Sequence, residues 1–220
     1  MTARSSHMAA DAIRTLFSTA MSRMYQAEVP QYATLMALVA EVNAATRAAH
    51  PDLDRRLIET GEAERLDLER HGAIRVGTAE ELLGLRRLFA VMGMQAVGYY
   101  DLSVAGVPVH STAFRPIDDE ALRRNPFRVF TSLLRLEMIE DLALREEAAA
   151  ILAKRSIFTA GCLAMIDVAE RQGGLTPEEA RRFVAEALET FRWHREATVS
   201  AETYDSSPMW SASRARTSTT

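Results

Sequence analysis

Residues 70–77, RHGAIRVG, form a short stretch that ends on glycine and predicts a β-strand. Successive side chains of a strand alternate between its faces, so His71, Ala73 and Arg75 share one face and the aliphatic residues take the other. Histidine can bind a metal, and arginine can hold a carboxylate through two parallel hydrogen bonds. With only an alanine methyl between them, both side chains can face one cavity. The rest of the chain is expected to be the scaffold that presents this pair.

The composition is that of a soluble globular protein. The chain has 220 residues, 48% hydrophobic and 25% charged, which is enough for one large domain or one and a half small ones. A net charge of -4 provides no basic field for nucleic acid or an anionic membrane. No apolar run has the length of a membrane span, and the N-terminus lacks the apolar region of a signal peptide. The single cysteine, Cys162, excludes an internal disulfide and is typical of a reducing cytoplasm.

The central part of the chain predicts a β-α-β-β-β order. Thr78 and Glu81 can form a capping box, followed by a leucine-rich helix with a buried stripe at Leu82, Leu83, Leu85, Leu88, Phe89 and Met92, and Gly93 can end it. Further strands are predicted at 96–103, 107–114 and 127–138, with a polar loop at 116–126. Half of a curled sheet leaves an edge open, which a second copy would close. This is the order of a vicinal-oxygen-chelate module, whose paired copies enclose a metal, although many α+β domains share it.

Helices are predicted on both sides of this module. Residues 9–48 have two helical patterns, separated where Val29 precedes Pro30, and residues 51–68 predict a short helix and a connector. Periodic runs follow at 142–153, 158–169 and 176–193. The predicted fold is therefore α+β, a vicinal-oxygen-chelate-like half-barrel flanked by N- and C-terminal helices. Its regions are 1–68 (helical), 69–141 (chelate-type module), 142–204 (helical) and 205–220 (tail).

The roles of His71 and Arg75 each have an alternative at this point. His71 is either a metal ligand or a structural histidine. A buried arginine needs an anionic partner, so Arg75 binds either a carboxylate substrate or Glu69, which lies near it on the same strand.

Other polar residues favour structural roles. His110 lies on a predicted strand face beside apolar residues, and His194 lies near a helix end, where the dipole favours a cation. Glu137 is a candidate carboxylate ligand on the predicted fourth strand, but Arg135 beside it favours an ion pair. No glycine-rich phosphate loop, nucleophile elbow or paired cysteines are present.

Several long strings carry a resemblance to a known family. They are MSRMYQAEVP (21–30), ERHGAIR (69–75), GYYDLSVAGVPVHSTAFRP (98–116), NPFRVFTSLLRLEMIED (125–141) and ALETFRWHREATVSAETY (187–204). Together they resemble the N-terminal portion of the bacterial YdcJ family, the 2-oxoadipate dioxygenase/decarboxylases or hydroxyglutarate synthases.

The resemblance implies an iron(II) enzyme of lysine catabolism with a chelate-type fold. Such an enzyme converts 2-oxoadipate and O2 to 2-hydroxyglutarate and CO2, with Fe(II) held by two histidines and one carboxylate. His71 matches the family's first metal histidine, and Arg75 matches the arginine that holds the distal carboxylate of the substrate. The remaining metal ligands are expected in the family's C-terminal half. The implied partners are a 2-oxo dicarboxylic acid and O2.

The sequence departs from the family after Tyr204. The second metal histidine, in a GPHINHLTPR-like stretch, and the metal glutamate are absent, and residues 205–220 lack periodicity. One interpretation is a disordered tail. The other is a shifted reading frame, because GC-rich codons for residues 205–220 can encode QLADVVCFPGPHINH from their third base, and the gene sequence decides between the two. Either way, we expect a truncated, inactive fragment that tends to associate through its uncovered strands.

Two further function classes remain. The chain could be a non-catalytic 2-oxo-acid or dicarboxylate-binding module, in which Arg75 anchors the ligand and His71 only donates or accepts a hydrogen bond. Another hypothesis is a helical interaction protein that binds its partner through residues 142–200.

Overall fold

The computed structural model describes residues 7–63, 66 and 71–192. The helices are Ala10–Glu28 (α1), Pro30–Ala49 (α2), Pro51–Glu59 (α3), Ala79–Val91 (α4), Asp119–Arg124 (α5), Leu142–Ala153 (α6), Ala160–Gln172 (α7) and Pro177–Glu189 (α8). The strands are His71–Val76 (β1), Gln95–Asp101 (β2), Val109–Arg115 (β3) and Arg128–Leu134 (β4). Short 3-10 turns lie at Ser103–Ala105 and Leu136–Met138. The predicted tail at 205–220 is outside the described residues.

The four strands form one sheet in the order β1-β4-β3-β2. β1 runs parallel to β4, while β4 with β3 and β3 with β2 are antiparallel. The α+β class, the four predicted strands with a helix after the first, and the flanking helices are therefore confirmed, but α5 adds a helix between β3 and β4 that was not predicted. β1 and β2 are the two edges of the sheet, so the described sheet is open on both sides.

Helices cover one face of this sheet and bury a single apolar core between them. α1, α4, α7 and α8 supply most of the core, and the sheet contributes Val76, Phe114 and Val129. Burial of this kind stabilises a domain by about 25 cal/mol for each Å² of apolar surface removed from water. The core therefore determines which face of each strand is turned inward, and the opposite face of the sheet is free to contact solvent or a ligand.

Arg14 of α1 is fully buried and connects the helical layer to the ends of two other elements. Its Nε donates to the carbonyl of Asn125 (3.0 Å) and its Nη1 to the carbonyl of Met92 (2.8 Å). Its Nη2 donates to Asp11 Oδ1 (2.7 Å) and to the carbonyl of Ala121 (3.1 Å). Every nitrogen of this buried cation thus has a partner, as buried charge requires.

Some predicted boundaries are wrong. The segment 116–126 is not only a loop, because it contains α5, whose first turn is capped by Asp118 through hydrogen bonds from the Glu120 and Ala121 amides. β4 ends at Leu134 and not at residue 138, since the chain turns into a 3-10 helix after Arg135.

One expectation about burial is also wrong. Leu83 is 51% exposed, because it lies on the side of α4 opposite the buried Leu85 and Leu88. In α2, the second of the two predicted N-terminal helices, Leu35 and Leu38 are more than half exposed. Within the described residues, no helix combines the length and apolarity that crossing a membrane would take.

Candidate functional site

β1 presents its odd-numbered residues to solvent. His71, Ala73 and Arg75 are exposed, whereas Gly72 and Val76 are buried against the core. The prediction that the histidine and the arginine share a face is therefore confirmed. The two side chains start from Cα atoms that are four residues apart, which is about 13 Å along a strand.

Two glycines hold β1 tightly on its buried side. A Cβ at position 72 would lie 3.3 Å from Met21 Sδ and from Val129 Cγ2. A Cβ at position 77 would lie only 2.2 Å from Leu152 Cδ2. Glycine at these positions lets α1 and α6 approach the strand closely, so the packing of its inner face fixes where its outer face points.

A buried carboxylate secures the end of β1. The Thr78 hydroxyl caps α4 by accepting from the Glu81 amide (3.1 Å), but the Glu81 carboxylate does not complete the predicted capping box. It accepts instead from the Gly77 amide (2.7 Å) and from Arg155 Nε (2.8 Å). Burial alone would raise the pKa of Glu81, but the hydrogen bonds from Arg155 and Gly77 lower it below its usual value. Glu81 thereby connects β1, α4 and the segment after α6.

The neighbouring strand extends the exposed face. The register pairs His71 with Arg128, Ala73 with Phe130 and Arg75 with Ser132. Residues paired in this way have side chains on the same side of a sheet. Ser132 Oγ lies 2.9 Å from Ser111 Oγ on β3, which places a pair of hydroxyls in the same row as Arg75.

Within the four described strands, this face has basic and neutral groups but no acidic ones. The only acidic residue in the four described strands is Asp101, whose register partner is His110 on the opposite face. None of the described carboxylates pairs with Arg75. The alternative partner Glu69 lies outside the described residues, as does His194. An exposed arginine on a face whose described strands carry no acidic residue can accept an anionic ligand.

The same face provides only part of a metal site. An exposed imidazole such as that of His71 suits a transition-metal ligand. However, within residues 7–63, 66 and 71–192 no group of three or more His, Cys, Asp or Glu side chains could hold a metal ion. The described residues therefore fit one ligand of an iron site and not the complete set.

The other sequence candidates belong to a separate polar cluster. Glu137 lies on a 3-10 turn and not on β4, and its ion pair with Arg135 lowers its pKa. Arg135 also donates to His110 Nδ1, which the Tyr99 hydroxyl approaches at 2.9 Å. Since a guanidinium can only donate, Nδ1 is an acceptor and the proton of a neutral ring lies on Nε2, 3.5 Å from Asp101 Oδ1. These contacts agree with a structural role for His110.

Sequence reasoning missed three residues of the exposed face, namely Arg128, Ser132 and Ser111. The alternation in RVFTSLL (128–134) puts Arg128 and Ser132 on one face of their strand. However, that pattern does not predict which strand pairs with β1.

Comparisons with known proteins show which family the chain belongs to. A family model described as 2-oxoadipate dioxygenase/decarboxylase (HGLS) matches residues 17–208. The 2-oxoadipate dioxygenase/decarboxylase of Escherichia coli K12 is 63% identical over 195 residues, which are 89% of this chain and 44% of that protein. The chain thus spans about half the length of the curated relatives it matches.

Solved structures show the same likeness. The hydroxyglutarate synthase from Pseudomonas putida in complex with 2-oxoadipate is 61% identical, with a TM-score of 0.87 over 90% of this chain and 44% of that one. The protein YdcJ from Shigella flexneri is 62% identical, with a TM-score of 0.86 over 90% of this chain and 47% of that one. The resemblance found in the sequence is therefore confirmed, and the chain belongs to the 2-oxoadipate dioxygenase/decarboxylase (HGLS) family.

Proposed function

We propose that this chain supplies the His71–Arg75 side of an active site that converts 2-oxoadipate and O2 to 2-hydroxyglutarate and CO2. The equation balances, because the six-carbon acid loses one carbon as CO2 and the two atoms of O2 account for the added oxygen. We further propose that the reaction depends on iron(II), belongs to lysine catabolism and takes place in the cytoplasm. Family membership and the relative solved with 2-oxoadipate support this proposal.

The observation that carries the proposal is the exposed face of β1. His71 and Arg75 face the same way, with only Ala73 between them, on a sheet face whose described strands carry no acidic residue. A six-carbon dicarboxylate has its carboxyl carbons about 6 Å apart when extended, from five zigzag bonds of about 1.5 Å. Two long side chains whose Cα atoms are about 13 Å apart can lean inward over a ligand of that length. Arg75 would hold the distal carboxylate with two parallel hydrogen bonds and so orient the acid.

His71 would be one ligand of the iron. When bound, iron(II) would supply the open positions at which the 2-oxo acid and dioxygen meet. A site with two histidines and one carboxylate needs two further protein ligands, and the described residues do not bring them to His71. We therefore propose that the 220-residue chain by itself is inactive and that its uncovered sheet makes it associate.

Oxygen uptake with 2-oxoadipate tests this proposal. The chain would be assayed with iron(II) alone, and then after co-expression with the part of the P. putida enzyme that lies beyond the aligned residues. We expect uptake only from the combination. His71→Ala should abolish uptake, whereas His50→Ala, on an exposed histidine between α2 and α3, should not change it. Uptake by the chain alone, or full activity of His71→Ala in the combination, would contradict the proposal.

A non-catalytic dicarboxylate-binding module remains the second candidate, since the described residues lack a three-ligand cluster. In that case 2-oxoadipate would bind without iron, Arg75→Gln would weaken binding, and His71→Ala would weaken it little. Arg86→Gln, on the exposed side of α4, is the matched control. Absence of oxygen uptake from the combination, together with this pattern, would favour the binding module.

A further inference from the structure

Arg128 is the first residue of β4 and the register partner of His71. It is half-buried, and its Nε is buried without any hydrogen-bond partner. None of the described carboxylates forms an ion pair with it. A guanidinium nitrogen withdrawn from water with no acceptor is costly, so such a group calls for an explanation.

Two other arginines that are wholly or partly withdrawn from water do have acceptors. Arg14, which is fully buried, donates to three backbone carbonyls and to Asp11. Arg155 donates two hydrogen bonds to the Glu81 carboxylate. Three other described side-chain atoms are buried without a partner, His110 Nε2, Thr131 Oγ1 and Thr190 Oγ1, but Arg128 Nε is the only guanidinium nitrogen among the four. It also lies on the one sheet face whose described strands provide no carboxylate. An anionic ligand on that face would satisfy it.

The position of Arg128 identifies which part of a ligand it can reach. It stands beside His71, whereas Arg75 stands two pleats further along β1, about 13 Å away between Cα atoms. The face thus has a basic group near each end. Between them lie Ala73 and its register partner Phe130, which is 41% exposed and can contact the methylene groups of a ligand.

We propose that Arg128 is a second carboxylate-binding residue, which holds the carboxylate next to the 2-oxo group while Arg75 holds the distal one. This inference rests on the proposed function, because it takes a 2-oxo dicarboxylic acid as the ligand. In this scheme each end of the substrate is recognised by its own arginine, so an acid without the distal carboxylate loses only the contact with Arg75. Arg128 is a substrate-binding residue in this scheme and forms no bond to a metal.

Binding measured without iron tests this assignment. The full 220-residue chain labelled with ¹⁵N would be titrated with 2-oxoadipate and with 2-oxohexanoate, which has a methyl group in place of the distal carboxylate. The Nε–Hε resonance of Arg128, assigned by its loss in Arg128→Gln, should shift with both acids. Arg128→Gln should weaken both acids at least about tenfold, as expected for a lost charged hydrogen bond. Arg75→Gln should weaken only 2-oxoadipate, and Arg128→Lys, which keeps the charge but not the paired donors, should weaken both acids less than Arg128→Gln.

Thermal unfolding provides a second measurement. Since Arg128 Nε has no partner to lose, Arg128→Gln should unfold at the same temperature as the parent chain or higher; a purely structural arginine would lower that temperature. Unchanged binding of both acids by Arg128→Gln would overturn the assignment while leaving the proposed function intact. Weakening of 2-oxoadipate alone would overturn it too, because Arg128 would then hold the distal end. If the parent chain bound neither acid, the assignment of Arg128 would be overturned, whereas the proposed function would still be decided by oxygen uptake from the combination.

Discussion

Replacing Glu81 with glutamine should destabilise the protein through the end of β1. Glu81 is 7% exposed, and its carboxylate accepts from Arg155 Nε (2.8 Å), Arg155 Nη2 (2.5 Å) and the Gly77 amide (2.7 Å). Glutamine has nearly the same shape but keeps one acceptor oxygen and turns a donor toward other donors. Glu81→Gln therefore removes charge and hydrogen bonds with little change in volume.

The size of the effect follows from these contacts. A hydrogen bond to a charged group contributes about 1.5–3 kcal/mol, and breaking a fully buried ion pair costs about 3–5 kcal/mol. The Arg155 side chain is 29% exposed, so water can partly solvate it once its partner is gone. We therefore expect a loss of about 2–3 kcal/mol in the free energy of unfolding at pH 7. For a chain of this size, that corresponds to a fall of roughly 5–10 °C in Tm.

Urea and thermal unfolding measure this loss. Repeating them at several pH values shows whether the contribution of Glu81 to the free energy of unfolding disappears at low pH. The pKa of Glu81 is lowered in the folded state, so its contribution is fully present above its unfolded pKa of about 4.3 and disappears as the pH falls through the lower folded value. The difference between the parent chain and Glu81→Gln should be constant near neutral pH and shrink below about pH 4.5.

Glu80→Gln is the matched control, because Glu80 lies in the same first turn but is exposed. It should cost no more than about 0.3–1 kcal/mol through the helix dipole. Equal losses for the two variants, or a difference for Glu81→Gln that persists undiminished below the folded pKa, would refute the argument that this carboxylate secures β1.

Three further substitutions or reactions test the scaffold. Arg14→Leu leaves several buried carbonyls without a hydrogen-bond donor and should lower the free energy of urea unfolding by on the order of 3–5 kcal/mol. Arg23→Leu, on the exposed side of α1, should lower it by less than about 0.5 kcal/mol, and similar losses for the two variants would contradict this. Gly77→Ala brings a Cβ against Leu152 and should lower the free energy of unfolding by about 1–3 kcal/mol. Adding Leu152→Ala to the same chain should restore much of this stability, and no recovery would mean that the contact is not the cause of the loss. Burial, with a nearby carboxylate, raises the pKa of Cys162 to about 12, so at pH 8 thiol reagents should label it only as fast as the chain unfolds, and rapid labelling of the folded chain would contradict this.

Much of the fold could be predicted because its signals are local. The helix predicted within residues 176–193 begins at Pro177, directly after Thr176, and Gly93 has the positive φ (67°) expected just past a helix end. α5 was missed because six residues are too few to show a helical period, although Asp118 is a proper cap. The exposure of Leu35 and Leu38 on α2 could not be predicted for another reason, since periodicity shows which residues share a face but not what covers that face.

The candidate site was only half predictable. Alternation along β1 requires no knowledge of the rest of the fold, so the shared face of His71 and Arg75 followed from the sequence alone. Arg128 joins them only because β4 crosses back to pair with β1 in parallel, which depends on the packing of the whole sheet. The missing partner of its Nε is likewise a property of three-dimensional packing, invisible in the string RVFTSLL.

The arrangement of β1 makes binding and stability separable. Its inner residues, Gly72 and Val76, are held by the core, and close approach at Gly72 and Gly77 fixes the strand sterically. A slip of one residue would turn His71 and Arg75 into the core, so the register that protects the core also directs the site outward. The geometry of the exposed face is thus maintained from the opposite side of the sheet. Substitutions of its arginines should therefore change ligand affinity far more than they change the free energy of unfolding.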